Sequence, residues 1–134
     1  IDVKKEQQLI EQYDHIVFQF PLYWFSMPPL LKKWQDEVLT YGWAYGSKSG
    51  YKVGGKKVTL AISAGIDERE YAHNEKYKYT LKELLRPFEL TFEYIHADFR
   101  PFFAYYGIEL NSTTEWIERS VSLYKQFLEE FAKQ

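Results

Sequence analysis

The segment HIVFQFPLYWFSMPPLLKKWQDEV, residues 15–38, carries the reading of the fold. Ile16-Val17-Phe18-Gln19-Phe20 is an apolar run of the kind that forms a strand buried on both faces of a parallel sheet. Pro21 has no N–H to donate and stops the ladder there. An aromatic loop follows, and Pro28-Pro29 opens a helix where a missing N–H costs little. Open α/β sheets bind ligands beyond the carboxyl ends of their strands, which is where such a loop sits. Leu22, Tyr23, Trp24 and Phe25 would stand there beside free backbone N–H groups, a wall suited to a flat, partly polar ring system. On the residues alone, the same strand–loop–helix reads equally well as plain hydrophobic packing.

Working outward, Asp2 is placed to cap a helix running to about Tyr13, with Val3, Ile10 and Tyr13 near one face. The helix from Pro29 to about Leu39 sets Leu30, Leu31, Trp34 and Val38 on one side. Its Lys32, Lys33, Gln35, Asp36 and Glu37 mostly face water. Thr40–Gly55 holds five glycines and four aromatics and reads as an irregular excursion. Its rings suit a substrate pocket or a dimer contact, or else a surface loop with packed tyrosines. KVTLAIS, Lys57–Ser63, is a second buried parallel strand, ending in the turn Ser63-Ala64-Gly65-Ile66.

Thr80-x-x-Glu83 is a capping box. Leu81, Leu84, Leu85, Phe88, Phe92 and Ile95 keep helical spacing, so one helix runs through Pro87 with a kink. The alternative ends that helix near Arg86 and starts a strand at Phe88. FRPFFAYY, Phe99–Tyr106, is the next strand, with Pro101 marking a sheet edge. Ser112-x-x-Glu115 caps a last helix whose stripe of Ile117, Val121, Tyr124, Leu128 and Phe131 reads as core packing. Helices alternating with strands imply an α/β fold, a parallel sheet with helices on both faces.

Composition narrows the function. Hydrophobic residues make up 46% of the 134 and aromatics 19%, more rings than one core hides, so some should line a site or an interface. A net charge of −2 with interspersed signs argues against nucleic-acid binding. The absence of Cys excludes disulfides, thiolate metal sites and a cysteine nucleophile, and fits a cytoplasmic location. No stretch approaches a membrane span. No two histidines have metal-ligand spacing, so no metal is expected, and His15 and His96 read as structural or exposed. No Walker A sequence, dinucleotide fingerprint or G-x-S-x-G elbow is present.

F-P-L-Y-W-F-S-M-P-P-L-L-K-K-W-Q-D-E-V, Phe20–Val38, resembles the isoalloxazine-binding loop of flavodoxin-like NAD(P)H:quinone oxidoreductases, in particular bacterial general stress NAD(P)H oxidoreductases and potassium-efflux ancillary flavoproteins. The resemblance implies a flavodoxin-like three-layer sandwich of sheet order 2-1-3-4-5, with strands three to five in this chain. It implies FMN, with FAD the alternative, held at Pro21, Leu22, Tyr23, Trp24 and Phe25, and at the turn Ser63, Ala64, Gly65 and Ile66. Ile66 departs from the second glycine usual there. Tyr71 then takes the place of a hydrogen-bond donor, with His73 a candidate proton source near its unperturbed pKa of about 6.5. Tyr77 falls nearer the usual position of that histidine.

The activity implied is two-electron reduction of quinones, with nitroaromatics a further class, by NAD(P)H in a ping-pong cycle within a homodimer. A regulatory subunit that binds a potassium-efflux transporter is the alternative. In the family a first strand, phosphate loop, helix and second strand precede this point. The chain begins at Ile1 and its only Met is Met27, so residues 1–134 are expected to be one flavodoxin-like domain lacking that N-terminal segment.

Overall fold

The computed structural model describes all 134 residues. In chain order the elements are α1 (Val3–Glu11), β1 (His15–Pro21), α2 (Pro29–Val38), β2 (Lys57–Ser63), α3 (Leu81–Leu84), α4 (Arg86–Tyr94), β3 (Asp98–Phe99), β4 (Phe103–Tyr105) and α5 (Thr114–Ala132). All strands are parallel. β2 is central, with β1 on one side and β3 and β4 in line on the other.

β2 is buried along its length from Val58 to Ile62, as a continuous apolar run demands. β1 departs from expectation. Only Phe20 of it is fully buried, and its outer edge has no hydrogen-bonded neighbour. Its even-numbered side chains face the main core: Phe18 stacks on Phe92 and Phe20 on Phe88, at 5.4 and 5.2 Å between ring centroids. That core lies between the sheet and α2–α4. The helix kink at Pro87 is present, with Leu85 ending α3 and leading into α4, so the strand alternative from Phe88 does not form.

The expected strand at 99–106 is interrupted. Register runs Val58↔Phe99 and then Ala61↔Phe103, so Arg100–Phe102 set three residues against Thr59 and Leu60. This is a bulge at Pro101, which cannot donate to the ladder. The buried Thr59 hydroxyl donates to Pro101 O at 2.8 Å and satisfies the displaced carbonyl.

Three helix readings are also corrected. The cap of α5 is Thr113, whose hydroxyl accepts from Trp116 N–H, rather than Ser112. Gln35 of α2 is buried and Leu30 is 70% exposed, because α1 packs across α2 and fixes its rotation through Gln7 Nε2 donating to Val38 O at 2.9 Å and Trp34 Nε1 donating to Glu6 at 2.8 Å. The α5 stripe is core only at its far end. Phe131 is buried, but Val121 is 63% exposed and, with Tyr124 and Leu128, borders an apolar groove over β1 and β2. α5 covers β4 and meets β1 on that face only at its start, where His15 packs edge-on against Phe131.

Candidate functional site

The loop after β1 and the turn after β2 meet at the carboxyl end of the sheet. Leu22 N–H donates to Ser63 O at 2.8 Å and extends the β1–β2 ladder by one rung. The chain then reverses in a two-residue hairpin: Tyr23 and Ser26 exchange backbone hydrogen bonds at 2.9 Å each, with Trp24 and Phe25 both in the left-handed region, φ +47° and +62°. Such turns favour Asn and Gly, so two bulky aromatics there mark a strained loop of the kind found at ligand sites. Its shape leaves the backbone N–H groups of Trp24 and Phe25 without partners within the chain.

Across from it, the N–H groups of Gly65 and Ile66 are likewise free. Between the two turns opens a depression of about 530 Å³, lined by Leu22, Tyr23, Trp24, Phe25, Gly65, Ile66, Tyr71, Tyr77 and Glu109. Phe25 meets Tyr77 edge-on at 5.0 Å, Tyr77 leans on Tyr71 at 5.1 Å, and Tyr71 on Tyr106 at 5.7 Å. Burial, then Tyr77 and Glu109, hold the Tyr71 hydroxyl above its ordinary pKa, so it remains a proton-bearing donor at neutral pH. Burial, then Glu68 and Tyr71, push Tyr106 up to about 12.

The structure therefore brings together Leu22, Tyr23, Trp24, Phe25, Gly65, Ile66 and Tyr71 from the sequence reading. Three residues lie behind this depression: Ala64 is buried at 1%, and Pro21 and Ser63 border the groove beneath α5. His73 stands outside it as well. Its exposed ring pairs with Glu83 of α3, and that hydrogen bond holds the Glu83 carboxyl below its ordinary pKa. Thr40–Gly55 does not line the depression. It crosses the amino end of the sheet, where Gly55 N–H donates to His96 O, and buries Trp43, Ala44 and Val53 in the core while leaving Tyr41 exposed.

Glu109 is the residue that sequence reasoning missed. An acidic residue just past a strand's carboxyl end, two beyond Gly107, was its only signal. No group of three or more His, Asp or Glu side chains is placed to hold a metal ion. No helix is long and apolar enough to cross a membrane.

A parallel sheet between helix layers, with an aromatic loop and a second turn offering free amides at the strand ends, defines a flavodoxin-type ring-binding architecture. The family model described as flavodoxin-like fold matches residues 1–128, and the chain belongs to that family. It is 48% identical over 128 residues to an uncharacterized NAD(P)H oxidoreductase of Bacillus subtilis, YrkL, covering 96% of this chain and 72% of the relative. It is 45% identical over 91 residues to the glutathione-regulated potassium-efflux ancillary protein KefG of an Enterobacter species, covering 68% of this chain and 49% of that one.

Among solved structures, general stress protein 14 of Treponema denticola, in complex with FMN, superposes with TM-score 0.89 at 47% identity, over 98% of this chain and 74% of that one. An NADPH-quinone reductase of P. pentosaceus superposes with TM-score 0.85 at 32% identity, over 95% and 74%.

Proposed function

We propose that this protein is an NAD(P)H-dependent flavin oxidoreductase that holds FMN, with FAD the alternative, between the two turns and reduces quinone-class acceptors by two-electron transfer in a ping-pong cycle. One observation carries the reading: unpaired amides of Trp24, Phe25, Gly65 and Ile66 border an aromatic-walled depression at the strand ends, on a fold whose relative is solved with FMN. The residues fit a flat ring with polar edges. Free amides can donate to ring oxygens and nitrogens, while Leu22, Tyr23, Trp24 and Phe25 supply apolar contact. The quinone class is supported by the NADPH-quinone reductase neighbour and the NAD(P)H donor by the oxidoreductase relative.

FMN, when bound, supplies the hydride chemistry. The chain's part is to bind, orient and donate. Tyr71, kept protonated by its surroundings, is the donor to a ring or acceptor oxygen on which negative charge develops. Tyr77 closes the wall between Tyr71 and Phe25. His73 pairs with Glu83 of α3 outside the depression and has no part in the proposed chemistry. The open face leaves room for NAD(P)H and acceptor to alternate, and the exposed rings of Tyr23, Trp24 and Tyr41 suit a homodimer contact.

The absorption spectrum of the purified protein with added FMN, followed by anaerobic NAD(P)H and then a quinone, tests the reading. Visible flavin bands that bleach and then return are the expected result. A protein that takes up neither FMN nor FAD overturns it. A second reading, a regulatory subunit of a potassium-efflux transporter, is favoured by the KefG relative. It predicts co-purification with the transporter and weak quinone turnover.

A further inference from the structure

We propose that Glu109 is a specificity-determining residue, whose carboxylate turns the site against anionic acceptors and toward neutral or cationic ones. This rests on the flavin-dependent reading above.

Backbone, not side chain, fixes the position of Glu109. Gly107 N–H donates to Ile66 O at 2.9 Å, Ile108 N–H to Ala64 O at 3.3 Å and Glu109 N–H to Gly65 O at 3.0 Å. The turn after β4 is thereby laced to the turn after β2. Gly107, at φ +72°, permits the reversal, and its carbonyl collects the N–H groups of Leu110 and Asn111 together with Asn111 Nδ2. The consequence is a side chain laid over the one position in the turn that has none. A Cβ added to Gly65 would lie 2.5 Å from Glu109 Cδ and 2.7 Å from Oε1.

This carboxylate is the only charged group lining the depression. No cation lies within ion-pair distance of it, and no hydrogen bond reaches its oxygens; the nearest salt bridges in sequence engage Arg100 and Lys133. Glu109 is exposed and water screens it on its outer side, while Leu22, Trp24, Phe25, Tyr71 and Tyr77, which line the same depression, offer no counter-charge on the inner side. An unneutralised charge in such a setting projects its field along the opening by which an acceptor must enter. Its upward push on the Tyr71 hydroxyl is the same field read at a fixed group. An acceptor bearing a sulfonate or carboxylate meets like charge there; its neutral analogue does not.

The test compares menadione with 1,4-naphthoquinone-2-sulfonate on the FMN-loaded protein and its Glu109→Gln variant, and measures the midpoint potential of the bound flavin. Glu109→Gln is expected to raise the sulfonate-to-menadione ratio of kcat/KM about fivefold, the scale of one water-screened charge about 4 Å from another. The potential should rise as well, because a neutral side chain no longer opposes negative charge on the reduced ring. In the unmutated protein the same ratio should climb with ionic strength, which needs no variant to fold.

An unchanged ratio in a flavin-loaded variant, or a ratio insensitive to salt in the unmutated protein, overturns the proposal. Weaker FMN binding with an unaltered ratio also overturns it and makes Glu109 a flavin-holding residue instead. Failure of the unmutated protein to take up flavin is a different result, which sinks the functional reading itself.

Discussion

Trp24 and Phe25 each occupy a backbone region that costs a bulky L-residue about 1–3 kcal/mol. Trp24 is 94% exposed and recovers little of that by packing. Replacing it by Asn, which tolerates the left-handed region, should therefore stabilise the protein by about 1 kcal/mol in urea unfolding while weakening FMN binding through loss of the indole wall. A destabilised variant would show that the turn is not strained. Two tyrosines, buried Tyr71 and half-buried Tyr106, give a pH signature. Tyr71 and Tyr106 bind their protons more tightly folded than unfolded, so stability should be flat up to about pH 10 and fall as pH rises toward 12, where the unfolded chain ionises first. Tyr106→Phe should flatten that decline in denaturant titrations at pH 8, 10 and 11. The aromatic wall was legible because hydrophobic type and position after a strand are written in sequence. The left-handed turn was not, since no Asn-Gly pair announces it. Glu109 escaped because the contact that matters, with Gly65, is made only when two strand ends are brought side by side.

Elements were legible where pattern and punctuation agree. The capping box at Thr80 and the Pro87 kink both stand, since Thr80 Oγ1 accepts from Glu83 N–H and a proline near the start of α4 sacrifices no needed donor. The bulge between β3 and β4 was half legible: Pro101 signalled an edge, but only the register shows the extra residue. Thr59→Val, nearly isosteric, should cost about 1–3 kcal/mol of unfolding free energy by stranding the Pro101 carbonyl. A loss near zero would mean that water replaces the hydroxyl. The rotation of α2 was illegible, because Trp34 and Val38 allow several orientations and α1 chooses among them.

Across the whole molecule, one face of the sheet carries a full core and the other is only partly covered by α5. β1 had been expected to be buried on both faces, a property of sequence composition; its actual exposure follows from which neighbours lie beside it. A bare parallel edge carries unpaired N–H and C=O groups and invites pairing with another chain. Residues 1–134 should accordingly sediment with concentration-dependent association, and Gln19→Lys, on the exposed part of β1, should reduce it. Sedimentation unaffected by that charge would locate the association elsewhere.

The four tryptophans divide unequally. Trp34 and Trp43 donate their indole N–H to Glu6 and Glu11, and Trp116 to Tyr106 O, so each is anchored in the fold. Trp24 alone stands in solvent, at the mouth of the depression. Its fluorescence should emit at the red edge and be quenched selectively by iodide. The molecule thus carries a built-in optical reporter, whose loss of iodide accessibility would time the arrival of any ring that enters beside it.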